Sequence, residues 1–117
     1  MKTYSGRCHC GAITFSFESE PIAIGLRCNC SMCRRKSAVM STFALSPEQL
    51  RIVVKNDALA DYQFGNQVAH HHFCRVCGIY PFHQTMRQPG HYRVNLACID
   101  DIEPLSLPTE QFDGASL

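Results

Sequence analysis

Cys28-Asn29-Cys30-Ser31-Met32-Cys33 puts three thiols within six residues, at spacings of two and three. On a helix, positions two apart lie on nearly opposite sides; on a strand, positions three apart face opposite ways. Neither regular element aims all three sulfurs at one point, so the sequence predicts a bent loop. The usual reason to converge thiols is a metal. Zinc with three protein ligands keeps its fourth position for water or substrate, the arrangement of catalytic rather than structural sites. Cys28, Cys30 and Cys33 are therefore expected to hold a catalytic zinc.

Two further pairs, Cys8/Cys10 and Cys74/Cys77, are each followed directly by a glycine, Gly11 and Gly78. Cys98 stands alone among the eight cysteines. In an oxidising compartment such a count reads as disulfides; in a reducing one it reads as metal binding. The opening Met1-Lys2-Thr3-Tyr4-Ser5-Gly6 lacks the apolar core of a signal peptide, so a cytoplasmic location and zinc are expected. The two pairs together make a closed four-thiolate site, which would tie the N-terminal strand to a later hairpin and contribute folding energy directly. Another partition makes both sites structural, with Cys98 or a histidine closing the second. A redox role for Cys74-x-x-Cys77 lacks the strand-loop-helix setting of thioredoxin motifs.

Other residues have chemical and plain structural readings. Arg34-Arg35-Lys36 follows the triplet and reads as a solvated face, or as cations that offset a negative three-thiolate zinc and contact a thiol substrate's carboxylate. In His70-His71-His72, a strand would turn His70 and His72 one way and His71 the other. His9 reads as a neighbour of the thiols rather than a ligand. Tyr80, Phe82 and His83 suit either a pocket lining or the core, and Cys98 either a small buried apolar residue or a place near the site.

The elements that must position these groups are mostly strands. Tyr4 to Cys8 leads into the first cysteine pair. Ala12 to Glu18 alternates, with Ile13, Phe15 and Phe17 on one face. Ile22 to Arg27 delivers the chain to Cys28. Ser41 to Leu45 reads as a strand, and Ser46-Pro47-Glu48-Gln49 as the capped start of a brief helix. Leu50 to Lys55 is β-branched. Leu59 to Phe64 and Val68 to Phe73 form a hairpin around Gly65-Asn66, ending in the Cys74-x-x-Cys77-Gly78 knuckle. Ile79 to Gln84 and His91 to Leu96 are further strands, and from Asp100 the chain reads as irregular. With about seven or eight strands and little helix, the class is mainly β.

Composition excludes several functions. At 117 residues the chain is expected to be a single domain, 1–117, and with 45% hydrophobic residues it folds rather than staying disordered. A net charge of +1 and a pI near 7.6 argue against strong nonspecific binding to nucleic acid or anionic membrane. No apolar run approaches the ~18 residues of a membrane span. Nothing in the sequence speaks to oligomeric state.

Three blocks are similar to the signature of the glutathione-dependent formaldehyde-activating family and of the related centromere protein V domain. These are Gly6-Arg7-Cys8-His9-Cys10-Gly11, Cys28-Asn29-Cys30-Ser31-Met32-Cys33-Arg34-Arg35 and Phe73-Cys74-Arg75-Val76-Cys77-Gly78, and the stretch from Val94 to Asp100 also resembles a family segment. The resemblance implies an Mss4-like fold of zinc-stabilised folded β-sheets. It implies two zinc ions, a structural one on Cys8, Cys10, Cys74 and Cys77 and a catalytic one on Cys28, Cys30 and Cys33. The implied activity is carbon-sulfur lyase chemistry joining glutathione and formaldehyde as S-hydroxymethylglutathione. The partner would be a small-molecule thiol or aldehyde adduct. The alternative is a noncatalytic zinc-stabilised interaction module in which a fourth protein ligand closes the triplet.

Overall fold

The computed structural model describes residues 1–117, arranged as three small sheets. β1 (Lys2–Arg7), β2 (Ile13–Ser19) and β4 (Arg51–Val54) form an antiparallel sheet in the order β1-β2-β4. β5 (Leu59–Tyr62), β6 (His70–Cys74), β7 (Phe82–Gln84) and β8 (Tyr92–Val94) form a four-stranded antiparallel meander. β3 (Gly25–Cys28) pairs in parallel with β9 (Thr109–Phe112). One helix, α1 (Ser31–Lys36), follows β3. The chain is mainly β with little helix, consistent with Mss4-like folded sheets. No helix is long and apolar enough to cross a membrane.

The alternation of β2 is realised: Ile13, Phe15 and Phe17 are buried on one face. Tyr4 stacks on its partner Phe17 at 5.6 Å between ring centroids. Phe15 meets Phe82 of β7 edge-on at 6.0 Å, an aromatic contact that joins the first sheet to the meander. Phe82, the largest fully buried side chain, therefore belongs to the core and not to a pocket.

Four expectations are corrected. Ser41 to Leu45 is not a strand but a series of isolated bridges, Met40 to Leu26 and Asn95, and Leu45 to Tyr92. There the Ser41 hydroxyl donates to the Phe43 carbonyl and accepts from the Val94 N–H, a side-chain alternative to the ladder. The helix at Ser46 stops at a single turn. Gln49 Oε1 does accept from the Ser46 N–H at 2.8 Å, as a capping box requires, but buried Leu50 and β4 follow at once and leave no residues for propagation. The hairpin loop is wider than Gly65-Asn66: β6 starts at His70, and Gln63 Nε2 spans the loop to the Gln67 carbonyl. The segment after Asp100 contains β9, whose Thr-Glu-Gln-Phe carries no apolar alternation to reveal it.

Candidate metal centres and the adjoining cleft

Cys8 follows β1 and Cys74 ends β6, so the two knuckles meet where the first sheet and the meander abut. Gly11 and Gly78 adopt φ of 82° and 80°, the left-handed backbone that each turn needs and that glycine takes without strain. Gly11 N–H donates to the Cys8 carbonyl and Gly78 N–H to the Cys74 carbonyl, closing both turns. The sulfurs of Cys8, Cys10, Cys74 and Cys77 lie within 4.8 Å of one another. Cys8 to Cys10 and Cys10 to Cys74 are each 3.7 Å. A tetrahedron with zinc-sulfur bonds of about 2.3 Å has edges of about 3.8 Å, so this donor set fits zinc. Cys8 and Cys74 are wholly buried, and Ile13 N–H donates to Cys8 Sγ at 3.3 Å. Burial opposes ionisation of Cys77, but N–H groups of Cys10 and Ile79 and the neighbouring thiols outweigh it and bring the thiol down to about 6.

The triplet is not the simple bent loop expected from spacing. Cys28 is the last residue of β3, Cys30 is the N-cap of α1, and Cys33 lies in its first turn. The Cys30 sulfur accepts from the Cys33 N–H at 3.3 Å, taking the place that a serine or aspartate oxygen fills in most caps. Cys30 N–H in turn donates to Cys28 Sγ at 3.5 Å. A strand end, a cap and a first helical turn thus bring all three sulfurs within 4.8 Å. No fourth His, Cys, Asp or Glu joins them. The three-sulfur set fits zinc with one position left over. Burial pushes the Cys33 thiol up to about 12, against the pull of Lys36.

A wall of the site comes from the far end of the chain. Asn29, between two of the cysteines, donates to Asp113 Oδ1 and accepts from the Ala115 N–H, both at 2.9 Å. These bonds hold a 3-10 turn, Gly114–Ser116, against the triplet. A Cβ on Gly114 would stand 2.5 Å from Cys28 Sγ, so any larger residue must displace the sulfur or the turn.

The triplet opens onto a cleft of about 620 Å³ between β3, the hairpin loop and the C-terminal turn. His71, His83, Arg87, Arg93, Phe64 and Phe112 are among its lining residues. A second hollow of about 320 Å³, over β1, β2 and Arg51, is lined by none of the cysteines. Beside the triplet, Lys36 Nζ sits 3.1 Å from His83 Nδ1 and 3.5 Å from the centroid of the Tyr80 ring. Burial pulls this ammonium down to about 8, opposed by Cys33, Cys30 and Cys28. Burial, followed by the Lys36 charge, lowers His71 to about 4 and holds His83 well below its ordinary value. Tyr80 OH is bonded to His71 Nδ1 at 2.7 Å.

Of the three cations suggested by the sequence, only Lys36 approaches the triplet. Arg34 and Arg35 are exposed and do not line the cleft; Arg35 Nη1 caps back onto the Ser31 carbonyl. His70 and His72 stack together at 6.0 Å on one face of β6 while His71 faces the cleft, and none of the three joins a thiol group. Cys98 adjoins the four-cysteine group; burial, then Cys8 and Cys77, push its thiol up to about 11. His9 is exposed. Asn29, Gly114, Arg87 and Arg93 were not singled out from the sequence. Of these, only Asn29 carried a local signal, its place inside the cysteine block.

Comparison with known proteins agrees with this geometry. The family described as glutathione-dependent formaldehyde-activating enzyme matches residues 3–114. This chain belongs to that family. Both thiol groups of this family member lie inside the matched range. The chain is also similar to a crystal structure of a Rhodobacter sphaeroides protein, at 38% identity and a TM-score of 0.79, over 91% of this chain and 99% of that one.

Proposed function

We propose that this protein is a zinc-dependent carbon-sulfur lyase-type enzyme acting on the adduct of a small thiol and formaldehyde, with S-hydroxymethylglutathione the first substrate to test. The observation that carries this reading is a three-sulfur group without a fourth side-chain ligand, opening onto a cleft large enough for a small peptide. Cys8, Cys10, Cys74 and Cys77 are assigned a structural zinc, and Cys28, Cys30 and Cys33 a catalytic one. Family membership supports the glutathione and formaldehyde chemistry. Zinc on three thiolates supplies a position that favours the thiolate form of a bound thiol, the form that attacks carbonyl carbon.

The chain's own residues contribute charge and shape. Lys36 has no carboxylate partner; its ammonium faces an imidazole nitrogen and an aromatic ring. It supplies a fixed positive charge against the three thiolates and against any thiolate that joins them. His71 and His83, kept neutral by burial, line the cleft without adding competing cations. Phe64, Met86 and Phe112 give the cleft an apolar lining beside the three sulfurs.

The test is the rate of S-hydroxymethylglutathione formation from glutathione and formaldehyde, followed by exchange NMR with and without zinc-loaded protein. Acceleration by the wild type is expected, with loss in Cys30→Ser, which keeps an oxygen at the helix cap and so spares the fold. A wild type that adds nothing to the spontaneous rate refutes the glutathione assignment.

A further inference from the structure

Two arginines line the cleft, and neither has an acidic partner. Arg93, on β8, donates from Nη1 to the Ser41 carbonyl at 2.9 Å. Its Nε is buried and unpartnered, and no protein group accepts from Nη2. Arg87 lies over the Phe112 ring at 3.8 Å, on the same cleft. The single ion pair in the molecule is His70 with Asp61, so neither guanidinium is neutralised by a neighbouring carboxylate. No Asp or Glu lines the cleft at all. Glu110, the one acidic group with an electrostatic effect on Arg93, is exposed on β9 and is not within ion-pair reach.

An orphaned, half-buried guanidinium is costly unless an anion meets it, and a carboxylate matches its planar fork. Cys28, Cys30 and Cys33 share the cleft with both arginines. We infer that the cleft selects thiols that carry a carboxylate, Arg93 and Arg87 holding the carboxylate while the sulfur reaches the triplet. This inference rests on the proposed thiol chemistry and adds to it the two residues that hold the substrate's carboxylate. Arg87 and Arg93 are positioning residues here; neither is placed at the reacting sulfur. Unlike Arg34 and Arg35, they present their charge to the space that the triplet faces.

The experiment is calorimetric binding of four probes to the full zinc-loaded chain: N-acetylcysteine, its C-terminal amide, and the S-methyl derivative of each. The expected result is at least about tenfold tighter binding of N-acetylcysteine than of its amide. Arg93→Gln should abolish that preference, and Arg87→Gln should reduce it several-fold. Arg87 is exposed, so its variant folds even if loss of the Ser41 contact harms Arg93→Gln. Equal binding of the acid and its amide overturns the inference and leaves the thiol chemistry standing. An arginine-dependent preference for the S-methyl acid, with no added affinity from a free thiol, upholds the carboxylate site and refutes the thiol reading. If none of the four binds, both fall.

Discussion

Gly114→Ala tests whether the C-terminal turn shapes the triplet. The added methyl would lie 2.5 Å from Cys28 Sγ and 3.2 Å from Cys30 Cβ, with Phe112 Cδ2 at 3.6 Å. Ordinary carbon contacts begin near ~3.5 Å, so either the sulfur or the turn must retreat by about 1 Å. Metal-ligand distances tolerate only about 0.2 Å. An overpacked site of this kind costs about 1–3 kcal/mol, which is a loss of roughly 5- to 150-fold in metal affinity at the triplet. The four-cysteine group shares none of these contacts and should keep its affinity. Titration with a competing chromophoric chelator resolves the two classes of site, and cobalt substitution identifies each by its spectrum. Asn29→Ala in the same chain releases the turn from Asp113 and Ala115 and should restore part of the lost affinity, a coupling that a double-mutant cycle measures. Unchanged triplet affinity in Gly114→Ala, or equal weakening of both sites, refutes the reasoning.

Cys74→Ser removes a wholly buried member of the four-sulfur group, and cooperative thermal unfolding by circular dichroism should be lost, whereas Cys33→Ser should retain it. Lys36→Met removes a buried ammonium that lacks a carboxylate; stability should change by less than about 1 kcal/mol or rise, since an apolar replacement escapes the desolvation cost, while the rate of adduct formation falls. His71 should show a flat imidazole NMR shift from pH 8 to pH 5, because its folded value is lowered to about 4 by burial first and Lys36 second. The sign follows: the unfolded histidine, near ~6.5, binds the proton more readily. The His71 contribution to stability is therefore complete above the unfolded value and lost as pH falls through about 4. His71→Phe should flatten that acid limb in denaturant titrations.

Much of the fold was legible because its strands alternate. β2 could be read residue by residue, since Ile13, Phe15 and Phe17 had to share a face. The two thiol groups were legible for the same reason that they are chemically strong: spacing alone limits which sulfurs can meet. What escaped was context. Cys30 as a helix cap has no conventional signal, because sulfur seldom replaces oxygen there, so α1 was hidden inside a motif that read as a loop. β9 is polar and short, and it is a strand only because β3 is there to pair with. Arg93 and Arg87 lie more than fifty residues from the triplet in sequence, and only the meander and the hairpin loop bring them to the same cleft. Arg34 and Arg35, adjacent in the chain to Cys33, are exposed and are not among the residues that line the cleft.

The contact between Cys10 and Cys74 spans 64 positions of chain. Bringing two such distant points together costs an unfolded polypeptide roughly 4 kcal/mol in lost freedom. The two knuckles are themselves local and can each offer a half-shell of sulfur before the rest has ordered. An ion caught by one and then shared with the other would meet that closure cost early, setting the order in which the sheets find each other. Refolding should accordingly quicken with added metal up to one equivalent, and chelator introduced during refolding should leave the first sheet and the meander unable to dock.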